Sequence, residues 1–135
     1  MASLDERALE AWAAAHAQTL PYGAVVALHG ELGAGKTTAV RAMLRALGAS
    51  EAVTSPSYAL VHRHETPAGP VFHLDAWRLR DPEEAADLDL PGLLSEGRAI
   101  FIEWPDRLGA WLPAPQAELW LEYADGGERR TAVWR

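Results

Sequence analysis

Lys36 is the only lysine in a chain that otherwise draws its positive charge from eleven arginines. A compact ammonium acts as a point charge where a guanidinium acts as a planar fork, so one lysine kept against that bias marks a position where the difference counts. It falls in Gly30-Glu31-Leu32-Gly33-Ala34-Gly35-Lys36-Thr37, which fits the pattern G-x-x-x-x-G-K-[ST]. Glycines at this spacing let the backbone wrap an anion and turn successive N–H groups inward, and a helix beginning at the lysine adds partial positive charge. The expected phosphate and nucleotide contacts are Gly33, Ala34, Gly35, Lys36, Thr37 and Thr38, together with Trp104, with Lys36 reaching the β- and γ-phosphates and the Thr37 hydroxyl placed to ligate Mg²⁺. In a chain of this size a chance match is expected roughly a few times in a thousand from average residue usage.

Phosphoryl chemistry also needs acidic groups that hold the metal and orient a nucleophile. Asp75 ends the apolar run Val71-Phe72-His73-Leu74, and Glu103 ends Ala99-Ile100-Phe101-Ile102. Both are expected at the carboxyl edge of a sheet, beside the phosphate loop. Ser55 and Ser57 bracket Pro56 in a loop from which a hydroxyl could reach phosphate or metal, although an ordinary turn has the same composition. His62 and His64 share a strand face at i, i+2, a spacing that could seat a metal but has no third ligand near in sequence. His29 and His73 are expected to pack and hydrogen-bond around the site. Trp104, between Glu103 and Pro105, is expected at its rim.

These side chains need elements to hold them. Ala24 to Leu28 is a short continuous apolar run, the pattern of a strand buried on both faces of a parallel sheet. Lys36 to Leu47 is rich in helix formers and closes with Gly48. Strand, glycine loop and helix in that order are the context the motif requires. Upstream, Ser3 and Glu6 read as a capping box opening a helix from about Leu4 to Gln18. Downstream, Tyr58 to Glu65 and Val71 to Asp75 predict a hairpin around Thr66 to Pro70. Asp81-Pro82-Glu83-Glu84 predicts the start of a short helix. Ala99 to Glu103 predicts another buried strand, stopped at Trp104-Pro105. Ala117 to Tyr123 and Arg129 to Trp134 predict a C-terminal antiparallel hairpin.

Composition narrows the class. With 135 residues, one domain spanning 1–135 is expected. Twelve basic against nineteen acidic residues give a net charge of −7, which disfavours autonomous nucleic-acid binding. The absence of cysteine rules out disulfide and thiol chemistry. No apolar run approaches the roughly 18 residues of a membrane span, and Asp5 and Glu6 stand where an export signal would place positive charge, so neither a membrane span nor export is expected. No Asn-Lys-x-Asp guanine motif is possible in a chain without asparagine.

Four stretches occur together and in order: Gly30 to Thr38, Ser55-Pro56-Ser57-Tyr58, His73-Leu74-Asp75-Ala76-Trp77-Arg78-Leu79 and Ile102-Glu103-Trp104-Pro105. As a set they resemble the TsaE (YjeE) family of bacterial P-loop ATPases, over nearly the whole chain. The resemblance implies a small α/β fold, a P-loop NTPase-like partly parallel sheet flanked by helices. It further implies ATP and Mg²⁺ as cofactors, ATPase activity and a cytoplasmic location; hydrolysis by the chain alone is expected to be weak and dependent on partners. The implied partners are a TsaD-like threonylcarbamoyl transferase and a TsaB-like companion subunit, with tRNA reached indirectly through them. Residue by residue it gives Lys36 and Thr37 to phosphate and Mg²⁺, Asp75 to the metal region, and Glu103 with Trp104 to the active site and its partner-sensitive edge. Lys36, Asp75 and Glu103 are thus the expected catalytic residues, and Thr37, Asp75 and Glu103 the expected metal-binding ones. Ser57 and Trp77 replace the usual Thr and Tyr, and Asp89 stands where glycine is usual. Two other readings are a small P-loop kinase, for whose lid the chain leaves little room, and a nucleotide-gated binding module without significant turnover.

Overall fold

The apolar run Ala24–His29 forms strand β2 at the middle of a seven-stranded sheet. The computed structural model describes residues 2–31, 35–50, 60–124 and 129–135. In chain order the strands are β1 (Ala2–Leu4), β2, β3 (Val61–Thr66), β4 (Gly69–Asp75), β5 (Ala99–Glu103), β6 (Ala117–Ala124) and β7 (Arg129–Trp134). Their spatial order is β1-β7-β6-β2-β5-β4-β3. The four inner strands β6, β2, β5 and β4 run parallel, and β3, β7 and β1 add antiparallel edges. All five residues of β5 are buried, as a strand covered on both faces must be.

Alternation along these strands divides the core in two. Val26, Leu28, Phe101 and Leu119 pack on one face beneath helices α1 (Glu6–Ala17) and α2 (Lys36–Ala46). Val25, Phe72, Leu74, Ile100 and Ile102 pack on the other, against Leu90 of helix α3 (Leu90–Glu96) and Leu79, Ala85 and Leu108 of the connecting segments. Those segments carry short 3₁₀ turns at Ala76–Arg78, Pro82–Leu88 and Pro105–Trp111. The fold is the partly parallel α/β sheet flanked by helices, with a C-terminal antiparallel hairpin, that the sequence predicts.

Several boundaries differ from the sequence reading. Ser3 pairs with Thr131 in β1 and does not cap a helix; Asp5 does, its Oδ1 accepting from the Ala8 N–H at 2.8 Å. An aspartate at that position satisfies a first-turn N–H equally well, and the edge-strand pairing claims Ser3. The hairpin turn is tighter than predicted, since Thr66 already pairs with Gly69. Helix α3 is announced only by Pro91, with Asp89 as its N-cap.

Candidate functional site

Lys36 is the first residue of α2, and it follows Gly35, whose φ of 101° lies in the left-handed region that favours glycine. A Cβ on Gly35 would also come within 3.0 Å of Leu9 Cδ2 and 3.5 Å of Arg130 Nε. Gly35 offers the first-turn N–H groups no side-chain acceptor, an arrangement that an anion completes. The Lys36 side chain is only 5% exposed; its Nζ donates to the Gly30 carbonyl and lies 3.5 Å from the centroid of the Trp104 ring. Burial pushes the ammonium below its ordinary pKa, while the negative charges of Glu103 and Asp75 pull it back up.

The two carboxylates arrive on neighbouring parallel strands, where Asp75 at the end of β4 stands in register with Glu103 at the end of β5. Alternation turns both away from the Leu74 and Ile102 face and toward α2. Glu103 is buried, and His73 Nε2 donates to its Oε2 at 2.5 Å. That bond fixes one carboxylate oxygen and leaves the other for a metal or water. Asp75 accepts from the Trp77 N–H at 3.2 Å and lies 3.7 Å from Arg78 Nε. Trp104 has a left-handed backbone, φ 56° and ψ 53°, which stops β5 and lays its indole against Trp77, ring centroids 4.7 Å apart.

A crevice of about 320 Å³ joins these groups: Gly35, Lys36, Thr37, Thr38, Asp75, Glu103 and Trp104 all line it. Gly33, Ala34, Ser55, Ser57 and Tyr58 lie outside the described residues. Three further lining residues carry no site signal in the sequence, Glu6 and Leu9 from α1 and Arg130 from β7; Trp77, from the motif around Asp75, lines the crevice as well. Arg130 stands 94 positions after Lys36 and comes beside it only through the order of the sheet, so no local pattern announces it. His62 and His73 are paired across β3 and β4 with ring centroids 6.0 Å apart. Among the described residues no group of three His, Asp or Glu side chains could hold a metal by itself.

The fold and crevice define a class, an α/β protein whose candidate site lies outside the carboxyl ends of its parallel strands. The family model described as threonylcarbamoyl adenosine biosynthesis protein TsaE matches residues 3–132, and the chain belongs to that family. The chain is 35% identical over 121 residues to a Nostoc tRNA threonylcarbamoyladenosine biosynthesis protein TsaE, covering 86% of this chain and 73% of that one. A Rickettsia bellii protein of the same description is 34% identical over 126 residues, covering 93% and 87%. The crystal structure of Bacillus subtilis YdiB has the same fold, with a TM-score of 0.71 at 22% identity, covering 97% of this chain and 80% of that one. The family's place is tRNA threonylcarbamoyladenosine biosynthesis.

Proposed function

We propose that this chain binds Mg²⁺-ATP in the crevice and hydrolyses it in support of a TsaD-like threonylcarbamoyl transferase and its TsaB-like companion. The observation that carries this reading is the convergence of Lys36, Thr37, Asp75 and Glu103 on one crevice at the strand ends. Lys36 neutralises charge on the β- and γ-phosphates, and the start of α2 supports the phosphates from the same side. The Thr37 hydroxyl and the Asp75 carboxylate would hold magnesium, hard oxygen donors of the kind that ion prefers, with Glu103 beside them. When bound, the ion screens the charge that develops as the γ-phosphoryl leaves. Glu103, held by His73, orients the attacking water and receives its proton, and Asp75 serves the metal side.

Charge supports the route to RNA through partners. At −7, the chain meets a phosphate backbone with net repulsion. Arg45 pairs with Glu10 at 3.8 Å on α1, away from the crevice, and Arg107 donates to the Leu79 carbonyl at 2.5 Å. Arg130 lines the crevice and Arg78 lies 3.7 Å from Asp75, so a partner's contribution is expected to add to these cations or to position them. Steady-state ATPase assays on the chain alone, with tRNA, and with the transferase and companion test this. Slow turnover alone that rises with the two proteins is expected. Full activity alone would favour an autonomous enzyme or kinase, and stimulation by tRNA without the proteins would defeat the partner route.

A further inference from the structure

A second groove, of about 550 Å³, lies beside the crevice, and Trp104 lines both. It opens at Gly30 and Glu31, where the glycine loop begins, and runs between Pro105-Asp106 and the end of β6. Its rings are Trp104, Trp120 and Tyr123; Trp120 and Tyr123 are 40% and 45% exposed. Its carboxylates are Glu31, Asp106 and Glu122, all exposed, and among the described residues no lysine or arginine lines it. His29 stacks on Trp120 with centroids 3.8 Å apart and is itself held by Glu118 at 3.3 Å, so the indole is braced from one side and open on the other.

Two of these rings already face cations of this chain. Lys36 Nζ lies over Trp104, and Arg130 Cζ lies 4.6 Å from the Tyr123 centroid. Aromatic faces rimmed by carboxylates attract a guanidinium twice, through the ring quadrupole and through paired hydrogen bonds, and they repel phosphate. We propose that this groove seats an arginine-bearing segment of a protein partner, its guanidinium against Trp120 and paired with Asp106 and Glu122. The inference rests on the partner-dependent reading above and gives it a place and a chemistry. A segment seated there lies against the outer side of Trp104, next to the entrance of the phosphate loop.

The test uses the full chain with the purified transferase and companion subunits. The double variant Asp106→Lys, Glu122→Lys should bind them at least about tenfold more weakly, the size expected when attractive contacts become like charges. Its ATP affinity and melting temperature should not change. Trp120→Ala should weaken binding in the same direction, and p-benzoylphenylalanine at position 120 should crosslink to an arginine-bearing peptide of either subunit. Undiminished binding by both variants would overturn the proposal, as would crosslinking from position 120 to tRNA. If the unsubstituted chain fails to bind either subunit, the functional reading itself falls and the groove loses its occupant; normal binding with unaffected variants rejects the groove alone.

Discussion

At Lys36 burial and charge oppose each other: desolvation disfavours the ammonium, while Glu103 and Asp75 favour it. Truncation to alanine removes the cation without opening the core, because the side chain borders a crevice. Lys36→Ala should weaken ATP binding by about 1.5–3 kcal/mol, the worth of a hydrogen bond to a charged group, with unchanged circular dichroism. Full affinity in calorimetry would remove Lys36 from the phosphate site. The acids separate by role: Asp75→Asn should weaken Mg²⁺-dependent nucleotide binding, whereas Glu103→Gln should lower turnover more than affinity. Equal losses of affinity would reject that division. On β3, His64 has its pKa lowered from 6.5 by burial first, then by the charges of His73 and His62. The folded state thus binds fewer protons than the unfolded chain, so stability should fall as the pH drops from 6.5. His64→Gln should flatten that decline in urea titrations; an unchanged slope would place the acid sensitivity elsewhere.

Among the elements, α3 depends on a residue in an unusual conformation. Asp89 has φ 51° and ψ 54°, where a side chain costs roughly 1–2 kcal/mol. Its Oδ1 accepts from the Gly92 N–H at 3.3 Å, which offsets part of that cost. Glycine would relieve the backbone and lose the cap. Asp89→Gly should therefore leave stability within about 0.5 kcal/mol, and Asp89→Ala should lower it by about 1–2 kcal/mol, since it loses the cap and keeps the strain. Equal stability of the two variants in denaturant would contradict this. The same position shows what the sequence could reveal. Strands β2 and β5 are legible because burial on both faces leaves an unbroken apolar run, and α2 because the glycine loop and Gly48 bracket it. The start of α1 is ambiguous in the sequence because Ser3 and Asp5 are both good caps, and only the pairing of Ser3 with Thr131 decides between them. Lys36, Asp75, Glu103 and Trp104 sit at element ends, where spacing is informative. Glu6, Leu9 and Arg130 reach the crevice from elements whose neighbours are set by sheet order, which is not written locally.

For the whole molecule, the position of one ring has a thermodynamic consequence. Trp104 is a wall of both the crevice and the groove, and its indole covers the Lys36 ammonium. A nucleotide that draws Lys36 toward phosphate changes what Trp104 rests on, and a segment filling the groove changes how far that ring can move. If filling one changes the energy of filling the other through that wall, the linkage is symmetric: whatever factor the partner applies to nucleotide affinity, the nucleotide applies to partner affinity. Measuring the partner's Kd with and without ATP, and the ATP Kd with and without the partner, should give one ratio twice. In Trp104→Ala that ratio should move toward one, leaving two binding events that no longer inform each other.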